Sequence, residues 1–451
     1  MSLISKELNY ETKSIEHGNY VISRITQQSN TAINLSASGG QTSVFEIPSN
    51  VVNFAKSYLS FTTTYGAAGG AALSNKIFSI GAPMIRSIQL TTREGLFLAD
   101  LQQVNRMLSV VLPAEARGDE WGSNDVPQYS KFTASGINRN LGTDVNFNEL
   151  IIPSIAYNAD VRNTSQAYIG LQHIIVSAAN TLAGGTVNWS LPMSIFKNSI
   201  LAMNLDQYFG GQSIFLTITW DAQPYSGYIG TTIASDGLAI LAGNVSISNL
   251  YFNLAVETNQ VAQMVARSNK SYSIPYTYTS KIAFTAGGLQ STQVRYNRSQ
   301  GSKLKKIYWA PFTTDETLSN AFNHSNATVR NAAGDADVAA NTTSFYSLLN
   351  NQRLQQFNPV CANFEDYYLI RSKLKGTPIA TSRSYYQLYV WIEDFTSGEV
   401  KVDDSFLTDG FSLEEDALYT MNCTATAAQT HQVFSVVERT LHLEDGRITL
   451  S

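Results

Sequence analysis

Ile214, Leu216, Ile218 and Trp220 take alternate positions in one short segment, with Thr217 and Thr219 between them. The same two-residue period recurs along the chain. Leu59 and Phe61 alternate with Ser60 and Thr62; Leu250, Phe252, Leu254 and Val256 alternate with Tyr251 and Asn253; Tyr386, Leu388, Val390 and Ile392 share a face. Successive side chains of a strand point to opposite sides, so this period marks strands with one face on a core. Turn-rich stretches, such as 66–70 and 227–243, separate them. The pattern predicts an all-β sandwich or barrel.

The chain has 451 residues, and single cores stop growing near ~250–300 residues. Two domains are therefore expected. With 43% hydrophobic residues each can bury a core of its own. Only 14% of residues are charged, against about 25% in an ordinary soluble domain. Ser, Thr, Asn and Gln supply the polar surface, which suits packing against identical neighbours because little charge must be desolvated at each contact. A secreted β protein shares this bias. The net charge of −5 and the lack of a basic tract give no footprint for direct nucleic-acid binding. Residues 1–20 mix Lys6 and Lys13 with Glu7, Glu11 and Glu16 and lack the apolar core of a secretory signal. No apolar run reaches the ~20 residues of a membrane span, so a soluble protein is expected. Two cysteines, Cys361 and Cys423, cannot make a disulfide framework.

Two helices are expected to interrupt the strands. Leu98, Leu101, Val104, Leu108 and Val111 recur at spacings of three and four before Pro113. Phe364–Leu374 follows a potential cap at Asn363, carries Glu365 and Asp366 in its first turn, and is stopped by Gly376 and Pro378. Each helix lies downstream of a strand running into a Thr-Thr pair: Met84–Leu90 into Thr91-Thr92, and Lys303–Phe312 into Thr313-Thr314. This order suggests an internal repeat. Asn259–Arg267 reads as a short linking helix between the halves. The expected divisions are an N-terminal arm (1–40), a first barrel (41–257), a linker (258–270) and a second barrel (271–451). The arm is too sparse in apolar residues to join a core by itself. Residues 113–165 and 313–343 are long polar loops, expected to project outward.

Catalytic and metal signatures are missing from the sequence. There is no G-x-S-x-G elbow and no phosphate-binding glycine loop, and the pairs Gly39-Gly40, Gly184-Gly185 and Gly210-Gly211 sit in turns. His17, His173, His324, His431 and His442 are scattered without ligand spacing. The acidic groups Glu393-Asp394, Asp403-Asp404 and Glu414-Glu415-Asp416 could hold Ca²⁺ or pair for glycoside cleavage, but solvated turn residues are the simpler reading. No enzyme activity and no cofactor are expected.

Four segments resemble the double jelly-roll major capsid proteins of icosahedral DNA viruses, the lineage of adenovirus hexon, tailless lipid-containing phages, virophages, polinton-like elements and large eukaryotic DNA viruses. They are Val44–Phe61, Gly81–Leu90, Trp189–Phe196 running on to Tyr208-Phe-Gly-Gly and the strand ending at Trp220, and Ile247–Glu257. The resemblance implies two eight-stranded antiparallel jelly rolls side by side, with short helices in loops. It further implies homotrimers of pseudo-sixfold outline that tile a virion shell. The partners implied are other copies of the chain and penton or minor capsid proteins, with an internal membrane left open and no sequence-specific nucleic acid. The arm would lie along the trimer base against a neighbour or an inner layer. Candidate subunit-interface residues are Tyr251, Asn253, Tyr389 and Trp391, aromatic or small-polar where a solvated strand face would carry Lys or Glu. Competing readings are a carbohydrate-active β-sandwich, glycosidase or lectin-like, and a trimeric viral spike.

Overall fold

The computed structural model describes residues 20–28, 33–35, 40–65, 75–78, 84–104, 106–108, 111, 130–132, 173–176, 186–221, 228–229, 245–268, 270–285, 287–313, 343–349, 352–353, 391–396, 410–414, 416–424, 429–444 and 446–451. Its first thirteen strands are β1 (Tyr20–Thr26), β2 (Ile33–Leu35), β3 (Thr42–Ile47), β4 (Val52–Tyr65), β5 (Asn75–Phe78), β6 (Ile85–Thr92), β7 (Phe97–Gln102), β8 (Ser130–Phe132), β9 (His173–Val176), β10 (Thr186–Pro192), β11 (Ile214–Trp220), β12 (Tyr228–Ile229) and β13 (Val245–Glu257). Helix α1 (Gln260–Arg267) follows, capped by the Asn259 side chain, which accepts from the amides of Val261 and Ala262. Ten more strands complete the chain: β14 (Lys270–Phe284), β15 (Leu289–Tyr296), β16 (Lys303–Thr313), β17 (Thr343–Leu349), β18 (Gln352–Arg353), β19 (Trp391–Asp394), β20 (Phe411–Ser412), β21 (Ala417–Thr424), β22 (Gln429–Glu444) and β23 (Arg447–Leu450).

The pairing of these strands gives the topology directly. If a chain folds as one long hairpin of eight strands, the first pairs with the eighth, the second with the seventh, the third with the sixth and the fourth with the fifth. Before α1 these pairs are β1–β13, β3–β11, β4–β10 and β6–β7. After α1 they are β14–β22, β15–β21, β16–β19 and β17–β18. Rolling each hairpin adds the eighth strand against the third, β13–β4 and β22–β16, and the seventh against the fourth, β11–β6 and β21–β17. Each half is thus an antiparallel jelly roll of two facing sheets.

The alternation seen in the sequence carries through to packing. In β11 the even residues Ile214 to Trp220 are buried, while Thr217 and Thr219 are half-buried. Phe61 stands edge-on to Trp220 and stacks on Trp189. Both indole N–H groups find partners inside the core, Trp220 donating to Ser43 Oγ and Trp189 to Thr63 Oγ1, each at 2.8 Å. The buried apolar side chains of both rolls join into one continuous cluster.

Four expectations need correction. The residues assigned to an N-terminal arm include the first strand of the first roll: β1 and β2 both pair with β13, and Ile33 and Leu35 are 4% and 2% exposed. They were too few to signal a core, but β13 supplies the partner they lack. Leu98 and Leu101 belong to β7, not to a helix; helical residues begin at Val104, where the Met107 amide reaches the Gln103 carbonyl at 2.8 Å. The Thr-Thr pairs do not mark equivalent places, because β6 is a fourth strand and β16 a third. The equivalent of β16 is β4. Finally, Glu393 and Asp394 are not solvated turn residues but buried members of β19. The segments 364–374, 386–390 and 403–404 lie outside the described residues, as do most of the two long loops.

His431 of β22 is wholly buried, its ring 4.5 Å from that of Phe284, and its Nδ1 accepts from Trp309 Nε1 at 2.7 Å. Burial lowers its pKa from 6.5 to about 3. The folded state therefore keeps His431 neutral where the unfolded chain would protonate it. Stability from this group is complete above pH 6.5 and falls as pH drops from 6.5 towards 3, by roughly 1.4 kcal/mol per pH unit. Urea midpoints measured between pH 7.5 and 5 should fall more steeply for the native protein than for a His431→Gln variant; equal slopes would contradict this assignment.

Candidate functional site: the barrel junction and the outward faces

The Tyr208-Phe209-Gly210-Gly211 turn, between the sixth and seventh strands of the first roll, is where that roll meets the second. Gly210 has φ +62° and Gly211 φ +79°, a backbone region that favours glycine. A Cβ on Gly210 would run into the carbonyl of Gly446, in the turn joining β22 to β23. Two backbones thus touch with no side chain between them. Nearby, Asn198 sits at φ +60°; its carbonyl accepts from Thr277 Oγ1 of β14 at 2.8 Å, and its amide donates to the Tyr308 hydroxyl of β16 at 3.4 Å. Thr279 Oγ1 donates to the Gln102 carbonyl at 3.3 Å, tying β14 to β7. Every one of these bonds crosses between rolls.

The junction also fixes the relative direction of the rolls. The sixth-to-seventh connection of a jelly roll lies at the same end as the close of its eighth strand. Here that connection of the first roll touches the close of β22 in the second, so both rolls present this end together. The same end carries the Tyr20 hydroxyl, which donates to Asp206 at 2.8 Å, and the Lys56 ammonium 4.0 Å from the Tyr20 ring centroid. Burial, and then the Asp206 carboxylate, push the Tyr20 pKa up. Burial lowers that of Lys270. The opposite end sends out the third-to-fourth, fifth-to-sixth and seventh-to-eighth connections. In the first roll they contribute β5, β9 and β12, which pair as a small separate sheet. The polar loops 113–165 and 313–343 belong to this class of connection, one fifth-to-sixth and the other third-to-fourth.

The four candidate interface residues separate into different places. Tyr251 of β13 is half-buried on the outer face, with the Arg24 guanidinium 4.8 Å from its ring centroid. Asn253 is 1% exposed; its amide donates to Ser60 Oγ at 2.8 Å and its carbonyl oxygen accepts from Arg24 Nε at 3.1 Å. A side chain so covered by its own chain has no surface to offer a neighbour, because β1 lies where the sequence suggested open space. Trp391 begins β19 opposite Trp309, and Tyr389 lies outside the described residues.

Two buried lysines of the second roll lie beside carboxylates. A bulge between Leu304 and Lys306 lets two consecutive lysines be buried. Lys305 Nζ lies 2.6 Å from Glu438 Oε2, and Lys306 Nζ 3.9 Å from Asp394 Oδ2. Asp394, one of the acidic residues that could have suggested catalysis, thus lies beside a buried lysine. Among the described residues no group of three His, Cys, Asp or Glu side chains is placed to hold a metal ion.

No protein-family model matches the sequence, and no curated protein matches it. Solved structures do match. The PBCV-1 virus capsid is 12% identical, with 97% of each chain covered and a TM-score of 0.55. The Faustovirus major capsid protein is 11% identical, covering 98% of this chain and 93% of that one, with a TM-score of 0.54. The mavirus major capsid protein is 9% identical, covering 100% and 95%, with a TM-score of 0.50. The chain is a double jelly roll. Both rolls lie within the matched length, so the likeness extends to their pairing as well as to each roll alone.

Glycine at 210 is thus a requirement of the double jelly roll's junction. Gly210→Ala should destabilise the protein by about 2–4 kcal/mol, through the unfavourable φ and the clash with Gly446. Gly211→Ala, whose nearest neighbour is the Tyr208 hydroxyl at 3.3 Å, should cost about 1–2 kcal/mol from φ alone. Melting temperatures of the two variants check the order; a Gly210→Ala protein as stable as the native one would contradict it.

Proposed function

We propose that the protein is a viral major capsid protein, a structural building block of an icosahedral shell without a catalytic step. One observation carries the reading: a single chain holds two complete jelly rolls of the same hairpin order, joined so that their corresponding ends lie together. Three such chains around an axis present six similar barrels, and a six-sided unit tiles a facet. Closing the trimer also covers sheet edges that would otherwise invite aggregation. The capsid proteins of PBCV-1, Faustovirus and mavirus, which share the fold, support the same reading. Its natural place is the virion, with other copies of itself as principal partners and penton or minor capsid proteins at special positions. The long connections at the far end face outward, and the end carrying the Gly210 turn faces inward. Of the acidic residues weighed for a carbohydrate-active site, Asp394 lies 3.9 Å from the buried Lys306 ammonium, which weakens that alternative.

The purified protein should sediment as a trimer of about 148 kDa, three times 49.4 kDa, and hold that size at micromolar concentration. A stable, well-folded monomer would overturn the capsid reading. Tyr251→Lys places a second cation beside Arg24 on the outer face and should shift the trimer towards smaller species while leaving the folded barrels intact. Sedimentation of the variant checks this, and an unchanged trimer would remove Tyr251 from the subunit contact.

A further inference from the structure

One sheet of the second roll is covered on its outer face by the first roll. In β14–β22–β16, Trp309 and Ser435 point into the roll: the Trp309 ring centroid is 5.6 Å from that of Tyr419, and Ser435 Oγ is 2.6 Å from the Tyr296 hydroxyl, both partners lying on the facing sheet. Their neighbours along each strand point the other way. Register places Thr277 opposite Val436, and sets both Thr279 and Tyr308 opposite Phe434. From this outer face Thr277, Thr279 and Tyr308 make the bonds to Asn198 and Gln102. Phe434 and Val436, on the same face, are 0% and 1% exposed. The first roll reaches them with the close of β7 and the connection that follows β10.

The counterpart in the first roll is the outer face of β1–β13–β4, since these strands hold the same first, eighth and third places. Phe252 and Phe61 point into that roll, against Phe45 and Trp220 of its facing sheet. Tyr251, opposite Thr26 and Ser60, and Asn253, opposite Arg24 and Tyr58, therefore share the outer face. Their side chains form one surface: the Arg24 guanidinium lies over the Tyr251 ring and donates to Asn253, which donates to Ser60. This face is open. Arg24 and Thr26 are exposed, and Tyr58, Ser60 and Tyr251 are half-buried, where Thr277, Tyr308, Phe434 and Val436 on the second roll are buried. The second roll in turn carries an open counterpart of the covering element. It is β18, which stands in the place of β7 and leaves Gln352 and Arg353 exposed.

The chain thus makes one contact internally and presents its two halves unmade, a sheet face on the first roll and a covering strand on the second. Contacts of this head-to-tail kind repeat, and they close into a ring where the rotation allows. We propose that the outer face of β1–β13–β4 receives the close of β18 from a second copy of the chain, so that the contact within the chain recurs between chains. The inference deepens the capsid reading and rests on it. The face runs between the inward and outward ends, and so looks sideways to a neighbour in the same capsomer. Its chemistry fits a contact made after folding. The covered face of the second roll never meets water and carries Phe434 and Val436. The open face must be wetted before assembly, and carries hydroxyls, tyrosines and an arginine held by its own chain.

A photo-crosslinking residue in place of Thr26 tests this in the full-length protein. Irradiated trimers should yield chains joined to one another, with the crosslink mapped by mass spectrometry to the peptide that carries Gln352 and Arg353. A crosslink to β1 or β13 of the second copy, as a two-fold contact would give, or to any surface remote from β18, or no crosslink between chains, would overturn the inference. Thr26→Arg adds a guanidinium at an exposed position and leaves the core untouched. It should raise the concentration at which trimers dissociate roughly tenfold or more, while the far-ultraviolet circular dichroism stays native; trimers of unaltered strength would also overturn the inference. Native protein that is monomeric would sink the capsid reading and this inference together, whereas trimers crosslinked elsewhere would sink the inference alone.

Discussion

The structure depends on pairing one late strand of each half with an early one. β13 lies between β1 and β4, and β22 between β14 and β16. A two-stranded ribbon has an apolar face and nothing to bury it against, so a hairpin alone is marginal in water. Setting the eighth strand beside the third rolls the ribbon, brings its apolar faces together and makes the core in the same step. The cost is loop closure across most of a domain: Thr26 pairs with Tyr251, and Lys270 with Leu443. Such non-local pairing forms slowly; alternation of burial in strands such as β11 helps to hold the register, and Trp189, Trp220 and Trp309 each find a hydrogen-bond partner within the core.

Once the rolls are closed, the junction between them becomes the decisive feature. Gly210 and Gly446 allow backbone contact, and Asn198 turns the chain so that Thr277 and Tyr308 can reach it. These contacts are short, polar and specific, unlike the broad apolar packing inside each roll. Together with the apolar cluster that runs continuously through both rolls, they set the angle between the two units. The proposed trimer of six similar faces needs that angle fixed, because an error at each junction would be repeated around it.

Much of this was legible in the sequence, and the reasons for the gaps are physical. Ile214 to Trp220 and Leu250 to Leu254 announced their strands because one face of each is buried. Asn259 announced α1 because a cap is a local, one-turn interaction. β1 was hidden: its burial alternates weakly, since it is an outer strand with Val21 and Ile22 both exposed. Leu98 and Leu101 mimicked a helix because the register shift at Leu98 breaks the alternation of β7, so that two buried leucines fall three residues apart. Asn253 looked like an outward surface because nothing local says that Arg24, over two hundred residues away, will lie on it. The Gly210 turn could be seen as a turn, but its partner at Gly446 is visible only in three dimensions.

The central claim is that two rolls in one chain act as two of six lobes. Electron cryo-microscopy of the purified oligomer tests it most directly. The account predicts a compact triangular or hexagonal particle with six lobes of similar size, two from each chain, and with the linking helices gathered at one end. A particle with three lobes, or one in which the two rolls of a chain adopt variable angles, would contradict it.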